Sequence, residues 1–110
     1  MIASIDNSSG AVITKPSSVS GEVDITFSEI NTASGTFSGR TPTNDISNSD
    51  YATSTNHALT IPFLAMTKVA ETPWGKEFVD NIRDANQYNF NSKNDLIIKT
   101  INKTLIFQRH

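Results

Sequence analysis

The chain has 110 residues, of which 36% are hydrophobic and 18% charged, with a net charge of −2 and no cysteine. That size suits one domain around one core, and the lack of cysteine excludes disulfides and cysteine metal sites. No basic run supplies the footprint of a nucleic-acid binder, and no stretch approaches the roughly 20 apolar residues of a membrane-spanning helix.

The polar remainder is largely Ser, Thr, Asn and Gln, a composition that favours strands and turns over long helices. Residues 1–20 carry the weakest pattern. Ala11 to Thr14 offers a short strand, and Lys15-Pro16-Ser17-Ser18 reads as a loop. From Gly21 the pattern sharpens. Val23, Ile25 and Phe27 alternate with Asp24, Thr26 and Ser28, the period-two signature of a half-buried strand. Asn31 to Ser34 is a turn cluster, and Gly35 to Thr41 pairs back as a hairpin arm with Phe37 inward.

Pro42-Thr43-Asn44 interrupts that arm. Ile46 and Tyr51 stand five residues apart, so a regular strand cannot place both on one face; a bulge near Asn48-Ser49 reconciles them. Ser54 to His57 is a further turn. Leu59, Ile61 and Phe63 alternate as a core strand, and Pro62 within it predicts an edge position or a strand end. Ala65 to Val69 extends it after a bend.

The one helix is predicted at about residues 73–87. Thr72 is a good N-cap, and Pro73 sits at the first helical position, where a missing N–H costs nothing. Trp74, Phe78, Ile82 and Ala85 then form one stripe of a 3.6-residue period and are expected as core anchors. Ligand stacking is the alternative role for Trp74. Gly75 weakens the first turn by roughly 1 kcal/mol relative to Ala, so packing must compensate. Beyond the helix, Tyr88 and Phe90 mark a short strand. Leu96–Thr100 and Leu105–Arg109 form a hairpin turning near Asn102-Lys103, with apolar residues on both faces. The predicted class is α+β: a strongly curved antiparallel β-sheet or small β-barrel with one packed helix, over a single domain spanning residues 1–110.

The ordered set of signals resembles a known family. Phe37-Ser38-Gly39-Arg40-Thr41, Asn44-Asp45-Ile46-Ser47 with Tyr51, Leu59-Thr60-Ile61, and Ala65-Met66-Thr67-Lys68 carry the resemblance. Glu77-Phe78, Ile82, Tyr88, Leu96-Ile97-Ile98 and Leu105-Ile106-Phe107 complete it. The chain is similar, over about residues 23–109, to the META domain of heat-shock-inducible HslJ-like bacterial envelope proteins. It departs from the family at Thr43, where many members carry a cysteine, and at its start, where many carry a Trp-containing strand. The resemblance implies a small β-rich fold without established catalytic residues or cofactor, in a periplasmic protein or outer-membrane lipoprotein. The chain itself shows no secretory leader, since Met1 is followed by IASIDNSSG. Met1 fits a true start and a start behind a removed leader or lipid anchor equally well. Fold relatives that hold a lipid chain in a cavity add a hydrophobic-ligand carrier as an alternative.

Chemistry-bearing constellations are sparse. His57 and His110 are the only histidines, and no nucleophile-elbow motif accompanies them. Asp45 with Asp50, or Glu71 with Glu77, are the candidate carboxylate pairs of a small hydrolase acting near Arg40. Turn-forming or solvated acids are the expected outcome. Arg40 is expected to pair with Asp45 or Asp50. Asn7-Ser8-Ser9 and Asn102-Lys103-Thr104 match the common glycosylation pattern. The resulting expectation is a non-enzymatic binding or structural module, monomeric, with no metal or cofactor. A filled interior is expected, with an unknown protein or hydrophobic ligand meeting a rim at Arg40, Asn44, Asp45 and Tyr51.

Overall fold

The computed structural model describes residues 1–109. Nine strands form one antiparallel sheet: β1 (Ala3–Asp6), β2 (Val12–Ile13), β3 (Asp24–Asn31), β4 (Ser34–Arg40), β5 (Asp45–Ser54), β6 (Ala58–Phe63), β7 (Gln87–Phe90), β8 (Leu96–Lys99) and β9 (Lys103–Phe107). The single α-helix, α1 (Pro73–Ile82), falls between β6 and β7. The strand order is β2-β1-β9-β8-β7-β6-β5-β4-β3. From β3 to β9 the chain is thus a meander, and the N-terminal hairpin β1–β2 joins it at the β9 edge. No pairing among the described residues joins β2 to β3, so the hydrogen-bonded sheet is open.

Local chemistry accounts for the turns. The Asn31 carboxamide accepts from the Ala33 N–H and tightens the β3–β4 turn. The β5 bulge lies where the sequence places it, since Phe37 pairs with Ser49 but Gly39 pairs with Ile46. The extra residue turns Ile46 inward, at 3% exposure, without losing Tyr51 from the same face. Between β5 and β6, Asn56 and His57 take φ of 62° and 59°, a left-handed pair with no glycine. Asparagine tolerates that region well and histidine moderately. At the β8–β9 turn the Thr100 hydroxyl accepts from the Asn102 and Lys103 N–H groups.

Four of the expected features come out differently. The short strand expected at residues 11–14 is β2, but residues 1–20 also contribute the unforeseen β1, which finds a register on β9 that pairs Ser4 with Leu105. The helix ends at Ile82 rather than near residue 87, since Asp84 and Ala85 donate back to Asn81 and Ile82 in tighter turns that lead into β7. β6 is an interior strand, so of the two readings of Pro62 the edge position fails and the strand end holds, one residue before the last of β6. It pairs with β7 only at Ala58–Gln87, so the proline lies beyond the shared ladder and removes no bond from it. Residues 65–69 form no strand; they meet β5 through the isolated bridge Ile46–Met66, with the Asp45 N–H donating to the Thr67 hydroxyl and the Ala65 N–H to the Ser49 hydroxyl.

Alternation puts one apolar face on the sheet. Phe27, Phe37, Leu59, Ile61, Tyr88, Ile98, Leu105 and Phe107 share it through registers such as Phe27–Phe37, Tyr88–Ile98 and Ile98–Leu105. α1 lies against part of this face. Thr72 caps the helix by accepting from the Gly75 N–H at 3.1 Å. Trp74, Phe78 and Ile82 are 1%, 0% and 0% exposed, and they belong to the same core as Phe37, Ile61, Ile98 and Phe107. Phe78 meets Phe107 edge-on at 6.0 Å. The Trp74 indole N–H has no acceptor among the described residues, so this residue contributes by packing.

Glu77 ties the helix to the far edge of the sheet. It accepts from the Lys103 ammonium at 2.8 Å and from the Ser4 hydroxyl at 2.8 Å. Burial would push this carboxyl up, but the bonds from Lys103 and Ser4 outweigh burial and hold it below its ordinary value. A depressed carboxylate stabilises the fold above its unfolded pKa, about 4.3, and that contribution fades as pH falls through the folded value.

Two tests follow from this packing. Phe78→Ala is expected to lower stability by roughly 3–5 kcal/mol, through lost transfer energy and the cavity left behind. An unchanged urea midpoint would place α1 on the wrong face. Glu77→Gln is expected to destabilise the protein at neutral pH. Its unfolding curve should converge on the wild-type curve as pH falls below about 4, and a gap that stays constant with pH would show that the ion pair adds nothing.

Candidate functional site

The structure separates two polar-to-apolar assemblies at opposite ends of β4 and β5. The first is a latch around Asn44, which is 3% exposed. Its Nδ2 donates to the Val69 carbonyl and to the Glu71 carboxylate, and its Oδ1 accepts from the Thr67 hydroxyl and the Val69 N–H. Thr41 and Thr43 also donate to Glu71. Every polar atom of the Asn44 side chain is thus occupied, and the segment before α1 is held against the β4–β5 turn. Gly75 belongs to this latch. A Cβ there would lie 2.1 Å from Glu71 Oε1, so any larger residue would have to shift that carboxylate.

The second assembly is a cleft of about 260 Å³ on the part of the apolar face that α1 leaves uncovered. Phe27, Tyr51, Tyr88 and Phe90 supply four aromatic rings, and Leu59, Leu96 and Ile98 supply aliphatic surface. Phe27 stands perpendicular to Tyr51 at 5.1 Å, and Tyr88 stands at 82° to Phe90 at 6.4 Å. Polar groups gather on one side: Glu29, Asn31, Thr32, Ser34 and Thr53. His57 stacks on Tyr88 at 5.1 Å, so the left-handed turn that carries it also braces a wall residue.

Strand registers explain this arrangement. Glu29 pairs with Gly35, and Gly35 pairs with Tyr51, so all three lie in one row across β3, β4 and β5. Gly35 is required there. A Cβ would come within 2.1 Å of the Ser28 carbonyl and 2.8 Å of the Tyr51 hydroxyl. Burial first, then the nearby Glu29 and Tyr88, push the Tyr51 phenol above its ordinary value.

The four rim residues expected from sequence do not form one surface. Tyr51 lines the cleft, whereas Arg40 and Asp45 are exposed at the other end of the hairpin and Asn44 is buried in the latch. Arg40 lies five positions along β4 from the residue opposite Tyr51, on the order of 16 Å away. Its carboxylate partner is Asp24, at 3.2 Å on the neighbouring strand, rather than Asp45 or Asp50. The interior is not filled as expected, because Phe27, Tyr88 and Phe90 stand around an opening, and Phe90 is 56% exposed.

The candidate carboxylates fall outside the cleft. Asp45 and Asp50 are exposed on β5, Glu71 sits in the latch, and Glu77 is paired with Lys103. Among the described residues, no three His, Asp or Glu side chains group as metal ligands, and His110 lies outside the described residues. Asn7 of the first glycosylation-like pattern is engaged, donating to the Thr100 carbonyl and accepting from Thr104. Glu29 is the residue that sequence reasoning missed. Period-two alternation puts it in the row of Ile25 and Phe27, but it is exposed and lines the cleft near the β3–β4 turn.

Set against family models, curated proteins and solved structures, the chain matches none of them. The site's reading therefore rests on its own geometry. If Asn44 serves the latch, Asn44→Ala should cost about 1–3 kcal/mol by stranding the buried groups it satisfies. Loss of ligand uptake in the cleft with unchanged stability would instead assign Asn44 a binding role.

Proposed function

We propose that the protein is a non-enzymatic binding module whose cleft takes up a small, largely apolar ligand. One observation carries the reading. Seven apolar residues from β3, β5, β6, β7 and β8 converge on one opening, with polar groups confined to one side of it. Small-molecule sites have this composition, apolar walls with a few orienting polar groups, and a volume of about 260 Å³ suits a small occupant. We further propose that the sheet curls around this opening in the manner of an incomplete barrel. Phe27 on β3 and Leu96 on β8 line the same cleft although four strands separate theirs in the sheet. The Met1 ammonium also donates to the Val23 carbonyl, next to the β3 edge.

The resemblance to META domains supports a role in the bacterial cell envelope, as a monomer with or without a lipid anchor. No helix among the described residues is long and apolar enough to cross a membrane.

The test is uptake of the neutral dye phenylnaphthylamine, followed by its fluorescence. Binding should saturate at one dye per chain. Thr53→Trp, which fills the cleft from within β5, should abolish it while leaving the melting temperature within a few degrees of wild type. Saturable binding that survives Thr53→Trp, or no binding at all, would refute the reading.

A further inference from the structure

We propose that the cleft selects a cation: a small ligand with an alkylammonium head, best a quaternary one, and a short apolar tail. This rests on the cleft being a ligand site at all and adds the charge and shape of its occupant.

Electrostatics comes first. Glu29 is the one formally charged residue among those that line the cleft; no Lys, Arg or His is among them. Glu29 has no ion-pair partner among the described residues, whereas Asp24 and Glu77 both have one across the sheet. The cleft thus carries an exposed carboxylate that no cation among the described residues pairs with. An anionic ligand would be repelled by this exposed carboxylate beside the opening, whereas a cation would gain an ion pair there.

The aromatic composition points the same way. Ring faces carry negative quadrupole potential and attract cations, and quaternary ammonium groups are held by several rings set at angles to one another. Here two near-perpendicular pairs, Phe27 with Tyr51 and Tyr88 with Phe90, line one opening beside the carboxylate. The raised Tyr51 phenol fits the same negative field, since Glu29 contributes to that shift.

Shape completes the argument. Gly35 separates Glu29 from Tyr51 in the same row, and the Tyr51 ring packs over it. A head group set among the rings of the cleft lies on the side where Glu29 lines the opening. Its tail then runs toward Leu59, Leu96 and Ile98. The volume limits that tail to a few carbons.

The experiment uses the whole chain and three competitors against bound phenylnaphthylamine, with titration calorimetry as a direct check. They are hydroxyhexyl-trimethylammonium, the alcohol in which carbon replaces the ammonium nitrogen, and octanoate. The cation is expected to bind about tenfold more tightly than its carbon isostere, with octanoate weakest. Its advantage should shrink as salt is raised. Glu29→Gln should remove most of that advantage, read as the ratio of cation to isostere affinity on the same variant, while leaving the melting temperature unchanged. Equal binding of cation and isostere would overturn cation selection and leave the apolar-ligand reading standing. A cation preference that survives Glu29→Gln would overturn the role given to Glu29. Failure of both dye and competitors to bind would overturn both proposals.

Discussion

One helix cannot cover this sheet, and the rest of the structure depends on that shortfall. A ten-residue helix is about 15 Å long, whereas nine strands laid side by side span on the order of 40 Å. The stripe of Trp74, Phe78 and Ile82 closes the part of the face near Phe37, Ile61 and Phe107. What remains must be apolar, because the same alternation runs the length of each strand. It must also be open, because no second element is available to cover it. The cleft is the consequence.

Polar fastenings at both ends of the helix fix which part is covered. Before the helix, the Asn44 and Glu71 network binds the incoming segment to the β4–β5 turn. Within the helix, Glu77 reaches Lys103 on β9 and Ser4 on β1. These bonds are directional, whereas apolar burial is not. They therefore set where the aromatic stripe lands, and with it where the opening lies. Neither fastening borders the cleft, so stability and ligand selection can be varied separately.

Much of the fold was legible in the sequence, for identifiable reasons. Thr72, Pro73 and the stripe from Trp74 name the helix start and its buried face, because a cap and a period are local properties. The β5 bulge was legible from the five-residue interval between Ile46 and Tyr51. Pro62 marked the end of β6 but not its interior place in the sheet, because whether a strand end is paired depends on how far its neighbour extends. The helix end near Ile82 was equally hidden, since the tight turns that stop it answer to the entry into β7. For the site, Tyr51 was legible but its companions were not. Arg40, Asn44 and Asp45 lie near it in sequence yet at the far end of a hairpin. Glu29, Tyr88 and Phe90 reach it through strand order, which no local pattern encodes. Gly35 shows the limit most clearly. Its requirement comes from a tyrosine on one neighbouring strand and a carbonyl on the other.

The central claim is that the uncovered part of the apolar face receives a ligand while the helix-covered part stays closed. Nuclear magnetic resonance of the aromatic and methyl groups during phenylnaphthylamine titration tests this most directly. The account requires shifts at Phe27, Tyr51, Tyr88, Phe90 and Leu59, with Trp74, Phe78 and Ile82 unchanged. Shifts centred on the helix stripe, or spread evenly over the exposed apolar residues, would contradict it.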